Sequence, residues 1–328
     1  MPESLEAGWF IVGGAGFIGS HFTDRLLTTP GVERVTLYDN FTSGQHWHFA
    51  HHASDPRLHV VEADVRDLDE LTAAMAGHDV VIHLASNPDI AAAITNPDID
   101  FELGTLLTRC VVEAMRRAGV PRILYASGSG VYGDLGEHAA DEDHGPMEPV
   151  STYGASKLAG EALIASYGHM FGTRGCVFRF GNVVGPRQTH GVGFDFVRKL
   201  MADPTQLEIL GDGEQSKSYI HVSDVIDAVL TAHGAVDAPF AAFNVATGDY
   251  ITVTEIAEIA VEALGLDPSS VDFRYTGGRS GWKGDVPVMR IATDKIRSLG
   301  WVCRRGTRDA LKDALDALVV DATRQPPA

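Results

Sequence analysis

The sequence predicts an α/β protein built on a doubly wound parallel sheet, followed by a smaller, mixed α/β C-terminal lobe. In the first half, short apolar runs alternate with segments that are apolar at helical spacing, which is typical of a parallel sheet covered by helices on both faces. The pattern loosens after about residue 180, where glycine-containing stretches separate the helices. The predicted strands are 9–12, 34–38, 58–62, 80–84, 122–126 and 175–180, and the clearest helices are 102–118 and 153–171. Further helices are predicted in the second half at 193–202, 222–234, 253–264 and 307–319.

The composition is that of a large folded protein and argues against two classes of partner. The 328 residues are 45% hydrophobic, enough for the cores of two lobes, and the formal net charge of −18 disfavours nucleic acid. No apolar run approaches the ~20 residues that span a membrane, and the short acidic N-terminus is unlike a signal peptide. The three cysteines show no metal or redox spacing. We therefore expect a cytoplasmic protein with free thiols and no membrane partner.

A glycine-rich turn follows the first predicted strand. Gly13, Gly16 and Gly19 lie between that strand and the helical pattern from Phe17 to Leu27. Strand, glycine turn and helix in this order form the Rossmann dinucleotide fingerprint, in which the backbone approaches a pyrophosphate at a helix N-terminus. The second strand ends in Asp39, 20 residues after Gly19, where a carboxylate accepts from ribose hydroxyls and repels a 2′-phosphate. The cofactor is therefore predicted to be NAD rather than NADP.

A tyrosine and a lysine follow about 140 residues after the glycine turn, as Tyr153 and Lys157. Their i,i+4 spacing puts the phenol and the ammonium on one face of the predicted helix. The ammonium stabilises a phenolate and can hold a ribose hydroxyl. A phenolate beside a nicotinamide can take the proton from a sugar hydroxyl as its hydride leaves. The pair therefore predicts acid/base catalysis coupled to hydride transfer.

With both motifs in place, the chain resembles the extended short-chain dehydrogenase/reductases, in particular the NAD-dependent sugar-nucleotide epimerases and dehydratases. In motif content it is most similar to the UDP-glucose and UDP-glucuronate 4-epimerases. The resemblance implies an NAD-binding Rossmann domain at 1–180, with a return segment at about 219–247, and a nucleotide-sugar lobe at 181–328. The matching segments are 13–19, 39–44, 63–67, 83–86, 131–133, 153–157, 179–187, 210–213, 219–222 and 284–287.

The resemblance also implies which residues hold the cofactor. In the family pattern, Asp64 and Val65 hold the adenine, Leu84 and Ala85 line the cofactor, and Phe180 packs at the nicotinamide. The complete implied set is Gly13, Gly16, Phe17, Ile18, Gly19, Asp39, Asn40, Thr42, Ser43, Gly44, Asp64, Val65, Leu84, Ala85, Ser86, Tyr153, Lys157 and Phe180.

A UDP-sugar site is implied in the same way. Asn182 is expected at the pyrophosphate, and Lys217 stands where many relatives carry a phosphate-binding arginine, although lysine lacks the bidentate fork. Arg279 is the expected second phosphate ligand. Arg187 and His190 are candidates for a C6 carboxylate, and the alternative for Arg187 is a phosphate or a neighbouring carboxylate. The other implied substrate residues are Asn87, Ser127, Val192, Phe196, Tyr219 and Asp285.

The chain departs from the family pattern at the catalytic hydroxyl. Relatives usually carry Ser or Thr four residues before the tyrosine of Val131-Tyr132-Gly133, and Gly128 occupies that place here. Ser127 and Ser129 flank it, and either can supply the hydroxyl that bridges substrate and Tyr153. We favour Ser127. A second departure is Phe101, which replaces an asparagine common in relatives.

The residues before Val131 also bear on the reaction. Dehydratases carry Asp-Glu there, and decarboxylases carry a glutamate, whereas this chain has Ser129-Gly130. Since glycine cannot exchange a proton, hydride return to a rotated 4-keto sugar is the remaining route, and we predict C4 epimerisation of UDP-glucose or UDP-glucuronate. The alternatives are a UDP-glucuronate decarboxylase or a sugar-nucleotide 4,6-dehydratase and, more remotely, a non-catalytic NAD-binding regulator.

Two further expectations concern oligomerisation and metal binding. Relatives pair the helices equivalent to 102–118 and 153–171 across a two-fold axis, so the resemblance implies a homodimer through a four-helix bundle. Of the histidines between 46 and 52, His48 and His52 are spaced i,i+4, but no third ligand follows at matching spacing, and we predict no metal site. Apolar residues that look surplus to one sheet face in these helices are Leu106, Leu107, Val111, Ala114, Leu158 and Leu163.

Overall fold

A computed structural model describes residues 5–324 of the chain. Its strands are β1 (Gly8–Val12), β2 (Arg34–Asp39), β3 (Leu58–Glu62), β4 (Val80–His83), β5 (Arg122–Gly128), β6 (Arg174–Phe180), β7 (Asn182–Val184), β8 (Gln206–Ile209), β9 (Ser216–Lys217), β10 (Tyr219–His221), β11 (Phe240–Val245), β12 (Ile251–Thr252) and β13 (Asp272–Tyr275). Its helices are α1 (Phe17–Leu27), α2 (Leu68–Met75), α3 (Leu107–Ala118), α4 (Thr152–Phe171), α5 (Val192–Ala202), α6 (Val222–Ala235), α7 (Val253–Ala263), α8 (Asp294–Ser298) and α9 (Thr307–Arg324).

Seven of the strands form one parallel sheet in the order β11-β6-β5-β4-β1-β2-β3. The predicted Rossmann-type fold is therefore confirmed. The strand order reverses between β1 and β4, so the loops that leave these two strands diverge and open a crevice at the carboxyl ends of the strands. The glycine turn leaves β1 at this point, which fixes where a dinucleotide can bind.

The central strand β1 shows why the sheet is covered on both faces. Its five residues are all buried, and successive side chains point to opposite faces. Trp9 and Ile11 pack in one core with α1 and α6. Phe10 and Val12 pack in a second core with α2, α3 and α4. A continuous apolar strand needs such double cover, because each face would otherwise leave apolar surface in water.

The second half of the chain builds a core of its own and also returns to the sheet. Helices α5, α7 and α9 pack around a separate apolar cluster together with β8 and β10. Between these elements, α6 covers the main sheet and β11 extends it beside β6. No helix within residues 5–324 is long and apolar enough to cross a membrane. The division into two domains at residue 180 stays a prediction.

One predicted helix differs from the structure at its start. Residues 101–106 form a π-helical turn, and the regular helix α3 begins only at Leu107. The wide turn brings Gly104 against α4, where a Cβ atom would lie 2.5 Å from Ser156 Oγ. Thr108 Oγ1 donates to the Gly104 carbonyl at 3.0 Å, which satisfies an acceptor of the wider turn. Such a helix–helix contact leaves no trace in sequence periodicity.

Candidate active site

A cavity of about 790 Å³ extends along the carboxyl ends of the parallel strands into the second half of the chain. The glycine turn and the segments after β2, β4 and β5 line one side. The segments 182–193, 217–219 and 282–291 contribute to the other side. The volume is within the range of small-molecule and cofactor sites. One continuous cavity therefore joins the dinucleotide fingerprint to the predicted substrate lobe.

The glycine turn has the geometry that a bound pyrophosphate requires. Gly13 has a φ of +80°, and a Cβ atom there would lie 2.7 Å from the Ala85 amide nitrogen. A Cβ atom on Gly19 would lie 2.6 Å from the Gly13 carbonyl oxygen. Helix α1 begins after Gly16 without a side-chain cap, so its first amides are free to donate into the cavity. Gly16, Phe17 and Ile18 line the cavity beside them.

Asp39 ends β2 at the edge of the cavity, as its predicted ribose contact requires. Its carboxylate accepts from the Ala15 amide at 3.0 Å and the Phe41 amide at 2.9 Å. Burial raises the pKa of the Asp39 carboxyl, and these two hydrogen bonds oppose the shift. Of the neighbouring predicted residues, Asn40, Thr42 and Ser43 line the cavity, whereas Gly44 packs against the Asp39 carboxylate.

The remaining predicted cofactor residues also line the cavity. They are Asp64, Val65, Leu84, Ala85, Ser86 and Phe180. Asp64 pairs with Arg66 at 2.6 Å, and this hydrogen-bonded pair lowers the pKa of the Asp64 carboxyl. The Ser86 hydroxyl is buried without a hydrogen-bond partner in the described part of the chain. A buried orphan hydroxyl in a cavity wall is suited to a polar ligand. The residues present therefore fit a dinucleotide.

Tyr153 and Lys157 lie side by side in the first turns of α4, where Ser151 caps the helix by accepting from the Gly154 amide at 3.1 Å. Lys157 Nζ is buried, donates to the Ala126 carbonyl at 2.8 Å, and lies 5.4 Å from the Tyr153 ring centroid. Burial lowers the pKa of Lys157, but Tyr153 and Tyr125 raise it more, so the net shift is upward. Lys157 therefore stays cationic beside the phenol and can stabilise a phenolate.

The two serines differ in how their hydroxyls are engaged. Ser127 Oγ is buried and donates to Glu161 Oε1 at 2.5 Å, on the side of β5 that faces α4. Its hydroxyl is therefore committed to a buried carboxylate. Ser129 lies in the short turn 129–132, lines the cavity, and makes no hydrogen bond within residues 5–324. Both serines line the cavity, but only Ser129 has an unengaged hydroxyl among the described residues, so we now favour Ser129, and the choice between the two stays a prediction.

Glu161 also forms a buried ion pair behind the site. Its carboxylate accepts from the Arg179 guanidinium at 2.8 Å, and each of the two side chains is only 4% exposed. Arg179 Nη1 donates to the Tyr132 hydroxyl at 2.8 Å, and that hydroxyl donates to Asn244 at 2.8 Å. The chain of contacts ties the turn 129–132 to α4 and to two strands of the sheet.

The predicted substrate residues are divided between the cavity and other places. Lys217 and Asp285 form an ion pair at 2.5 Å in the cavity wall. Asn87 lines the cavity, but its amide donates to Asp100 at 2.9 Å. Phe196 lies in the apolar core of the second half, and Arg279 is exposed, so neither lines the cavity. The structure also places Asn182, Val192 and Tyr219 in the cavity wall.

Arg187 points away from the cavity. Its guanidinium forms an ion pair with Asp24 and donates to the His48 carbonyl at 2.7 Å. A neighbouring carboxylate, the alternative interpretation of this arginine, is thus its partner. The C6-carboxylate role has no support at this position, because the guanidinium is already engaged beneath the glycine turn.

The histidine-rich segment comes close to a third potential ligand that sequence spacing missed. His51 Nε2 and His52 Nε2 each lie 2.8 Å from Asp24 Oδ1, whereas His48 bonds the Ala15 carbonyl through Nδ1 at 2.8 Å. The Asp24 carboxylate is shared with the Arg187 guanidinium, which already neutralises it. The cluster is therefore satisfied by protein groups, and the absence of a metal site remains our prediction.

Sequence reasoning missed several residues of the cavity wall. They are Gln188, Thr189, Trp282, Val286, Met289 and Ile291. Trp282 lies between two predicted substrate residues, Arg279 and Asp285, and this position is the one signal that pointed to it. The others lie on loops and isolated bridges, where no periodicity indicates which side faces a cavity.

Known proteins resemble this chain over most of its length. The model of the NAD dependent epimerase/dehydratase family matches residues 9–246. The UDP-glucose 4-epimerase of Mycolicibacterium smegmatis is 31% identical, over 89% of this chain and 92% of that protein. A crystal structure of a UDP-galactose 4-epimerase has 36% identity and a TM-score of 0.84, over 95% of this chain and 99% of that one. The dTDP-glucose 4,6-dehydratase DesIV of Streptomyces venezuelae, solved with NAD and TYD, has 27% identity and a TM-score of 0.88, over 97% and 99%.

Replacing Tyr153 by phenylalanine should remove turnover and leave the cofactor bound. Tyr153→Phe keeps the ring but loses the proton acceptor, and loss of a general base typically costs ~10²–10⁴-fold in rate. The measurements are the rate of product formation and the nucleotide released on denaturation. Tyr167→Phe is the matched control, because it removes a hydroxyl from the same helix where it bonds Glu113 instead. Retention of more than about half the activity by Tyr153→Phe would contradict the assignment.

Breaking the buried ion pair should destabilise the fold. Glu161→Ala leaves the Arg179 guanidinium buried without its carboxylate, which typically costs ~3–5 kcal/mol in the free energy of unfolding. Asp272→Asn, in an exposed pair with Arg274, is the control and should change stability by less than about 1 kcal/mol. Urea denaturation measures both. If Glu161→Ala lowered the free energy of unfolding by as little as the control does, the buried ion pair would not contribute to the stability of the fold.

Proposed function

The chain belongs to the NAD-dependent epimerase/dehydratase family, and from this premise we propose that it catalyses C4 epimerisation of a UDP-sugar. NAD is its cofactor, in keeping with the family and with the NAD-bound neighbour of the same fold. The reaction class that the family establishes is that of a sugar-nucleotide epimerase or dehydratase. The choice of epimerase and of UDP-sugar is the proposal.

The observation that carries the proposal is the distribution of acids around the cavity. Within residues 5–324, the carboxylates that line it are Asp39, Asp64 and Asp285. Asp39 and Asp64 belong to the adenosine half, and Asp285 is paired with Lys217. Elimination of water needs an acid for the leaving hydroxyl and a base for the C5 proton, and decarboxylation leaves a carbanion that an acid must protonate. The turn beside Tyr153 offers Ser129 and Gly130 instead.

The same turn leaves space for a sugar to rotate. A Cβ atom on Gly128 would meet nothing within 4 Å, and one on Gly130 would lie 3.9 Å from Gly154 Cα. Both positions border the cavity next to Tyr153. Epimerisation requires the 4-keto sugar to present its other face before the hydride returns. Small residues here support that movement.

The chain's own groups can then perform the proton transfers. NAD, when bound, supplies the hydride acceptor and donor at C4. Tyr153 takes the proton of the C4 hydroxyl, and the buried Lys157 cation stabilises the phenolate. Ser129 Oγ bridges between the substrate oxygen and Tyr153. Asn182 and Lys217 hold the pyrophosphate, Lys217 by leaving or sharing its ion pair with Asp285.

A second candidate is a 4,6-dehydratase. It is favoured by the high structural similarity to DesIV, whose TM-score exceeds that of the UDP-galactose 4-epimerase. A shared fold does not fix the reaction, because the two reactions have the same first step and differ in the acids that act afterwards. We therefore favour the epimerase, because the absence of a carboxylate at Ser129-Gly130 bears on the chemistry after the first step, whereas the structural similarity to DesIV does not.

We further propose a homodimer. Its contact residues differ in part from those that the sequence suggested. Leu107, Val111 and Ala114 are buried inside the subunit, so they do not form the surplus apolar surface that the sequence suggested. Leu106, Leu158 and Leu163 are partly exposed, and the large exposed apolar side chains at these helices include Phe101 (60% exposed), Met170 (71%) and Phe171 (48%). In an isologous dimer this patch on one subunit would pack against the same patch on its partner, so both copies would be buried.

Light scattering at micromolar concentration should therefore give twice the subunit mass. Phe101→Ser combined with Phe171→Ser removes exposed apolar surface without touching the sheet cores and should shift the equilibrium toward the monomer. Val302→Ser, which changes an exposed residue that follows α8, is the control and should leave the mass unchanged. A monomeric mass for the unmodified protein would refute the dimer.

The product should have the mass of the substrate. After incubation with UDP-glucose, mass spectrometry should show no loss, and chromatography should show a second UDP-hexose that is the C4 epimer. In deuterated water the product should carry no deuterium at carbon, since the hydride returns to the carbon that it left. Tyr153→Phe provides the blank. A product lighter by one water, or one with deuterium at C5, would identify the dehydratase instead.

A further inference from the structure

The charges at the sugar end of the cavity carry information about the substituent at C6. Within residues 5–324, the permanently cationic side chains that line the cavity are Arg66, Lys157 and Lys217. Arg66 is paired with Asp64 in the adenosine half. Lys157 is fully committed, since its ammonium is buried against the Ala126 carbonyl and the Tyr153 phenol. Neither cation is free to meet a second anionic group.

The single positive charge of Lys217 has two potential partners, the Asp285 carboxylate and the pyrophosphate of a bound UDP-sugar. In the structure that charge is neutralised by Asp285 at 2.5 Å, and the Asp285 side chain is buried. A UDP-sugar brings a pyrophosphate, whose negative charges would compete for Lys217 first. The exposed Arg279 and Lys283 lie outside the cavity. Lys217, Arg279 and Lys283 therefore provide no free positive charge for a carboxylate on the sugar.

Arg187 immediately precedes the cavity-lining residues 188–193 in sequence, but it does not line the cavity itself. It is held by Asp24 and by the His48 carbonyl. The next residue, Gln188, fixes the following loop by donating to the His190 carbonyl at 2.7 Å. The segment therefore presents His190 to the cavity and keeps the guanidinium behind it.

His190 is the one further lining side chain in the described range that can carry positive charge at this end. Desolvation lowers the pKa of its imidazole, and Asp195 and Asp89 oppose this shift only in part, so His190 is not a permanent cation. Within residues 5–324, no permanent cation of the cavity wall is therefore left without a partner.

From this charge arrangement we infer that the site selects UDP-sugars whose C6 is uncharged, a hexose and not a hexuronate, and that position 190 determines this selectivity. The inference rests on the proposed function, because it takes the ligand to be a UDP-sugar with C4 at Tyr153. Within residues 5–324, a C6 carboxylate would find no free permanent cation in the cavity wall, because Arg66, Lys157 and Lys217 are already engaged, whereas an uncharged C6 hydroxyl needs none. An unpaired anion in such a place is strongly disfavoured.

The test compares UDP-glucose with UDP-glucuronate on the NAD-loaded protein, by kcat/KM for epimer formation and by calorimetric Kd. We expect a preference for UDP-glucose on the order of 10²-fold or more in both measurements. His190→Arg supplies a permanent cation and should narrow this preference by about tenfold or more. His190→Gln is the matched control of similar length without charge and should leave the preference in place.

The possible outcomes separate this inference from the proposed reaction. Equal or better use of UDP-glucuronate by the unmodified protein would overturn the selectivity and leave epimerisation standing. Tighter binding of UDP-glucose with a product other than the epimer would support the selectivity and refute the reaction. Failure to bind either UDP-sugar would overturn both. An equal effect of His190→Arg and His190→Gln would overturn the role of charge at position 190.

Discussion

The buried ion pair between Arg179 and Glu161 is the constraint on which the catalytic edge of this protein depends. Arg179 comes from β6, and Glu161 lies one turn after Lys157 on α4. Both charges are almost fully removed from water, and each is satisfied by several hydrogen bonds. Such a pair tolerates little displacement, because a partner that moves leaves a buried charge unpaired. It therefore holds α4 against the sheet at the place where Tyr153 must act.

The contacts of this pair reach the groups that we assign to chemistry. Ser127 donates to Glu161, and the residue before it offers its carbonyl to Lys157. Tyr132 bonds Arg179 and ends the turn that carries Ser129. Two segments that line the cavity are thus fixed from behind by one polar network. The first hydroxyl of the strand is used for this support, and the next one in the chain remains available to a ligand.

Charge is distributed unevenly along the cavity, and this asymmetry connects the fold to its proposed specificity. At the glycine turn, free amides of α1 and the glycine backbone suit the phosphates of a dinucleotide. At the other end, Lys217 is balanced by Asp285, and His190 carries no permanent positive charge because the pKa of its imidazole is lowered, chiefly by desolvation. A net charge of −18 makes every local cation significant for an anionic ligand. The nucleotide-sugar is consequently expected to carry its negative charge on the phosphates and not on the sugar.

The sequence by itself determined six of the seven strands of the main sheet, the glycine turn, the helix that begins at Phe17, and the i,i+4 pair of Tyr153 and Lys157. These features depend on local periodicity and on backbone conformations that glycine alone adopts readily, so they can be read from neighbouring residues. Tertiary structure alone decided that Ser127 bonds Glu161, that Arg187 bonds Asp24, and that Phe196 faces a core. Each of these side chains has a partner or surroundings contributed by residues distant in the chain. Hydrogen-bond and ion-pair choices of this kind are set by which elements pack together, and spacing along the chain contains no record of them.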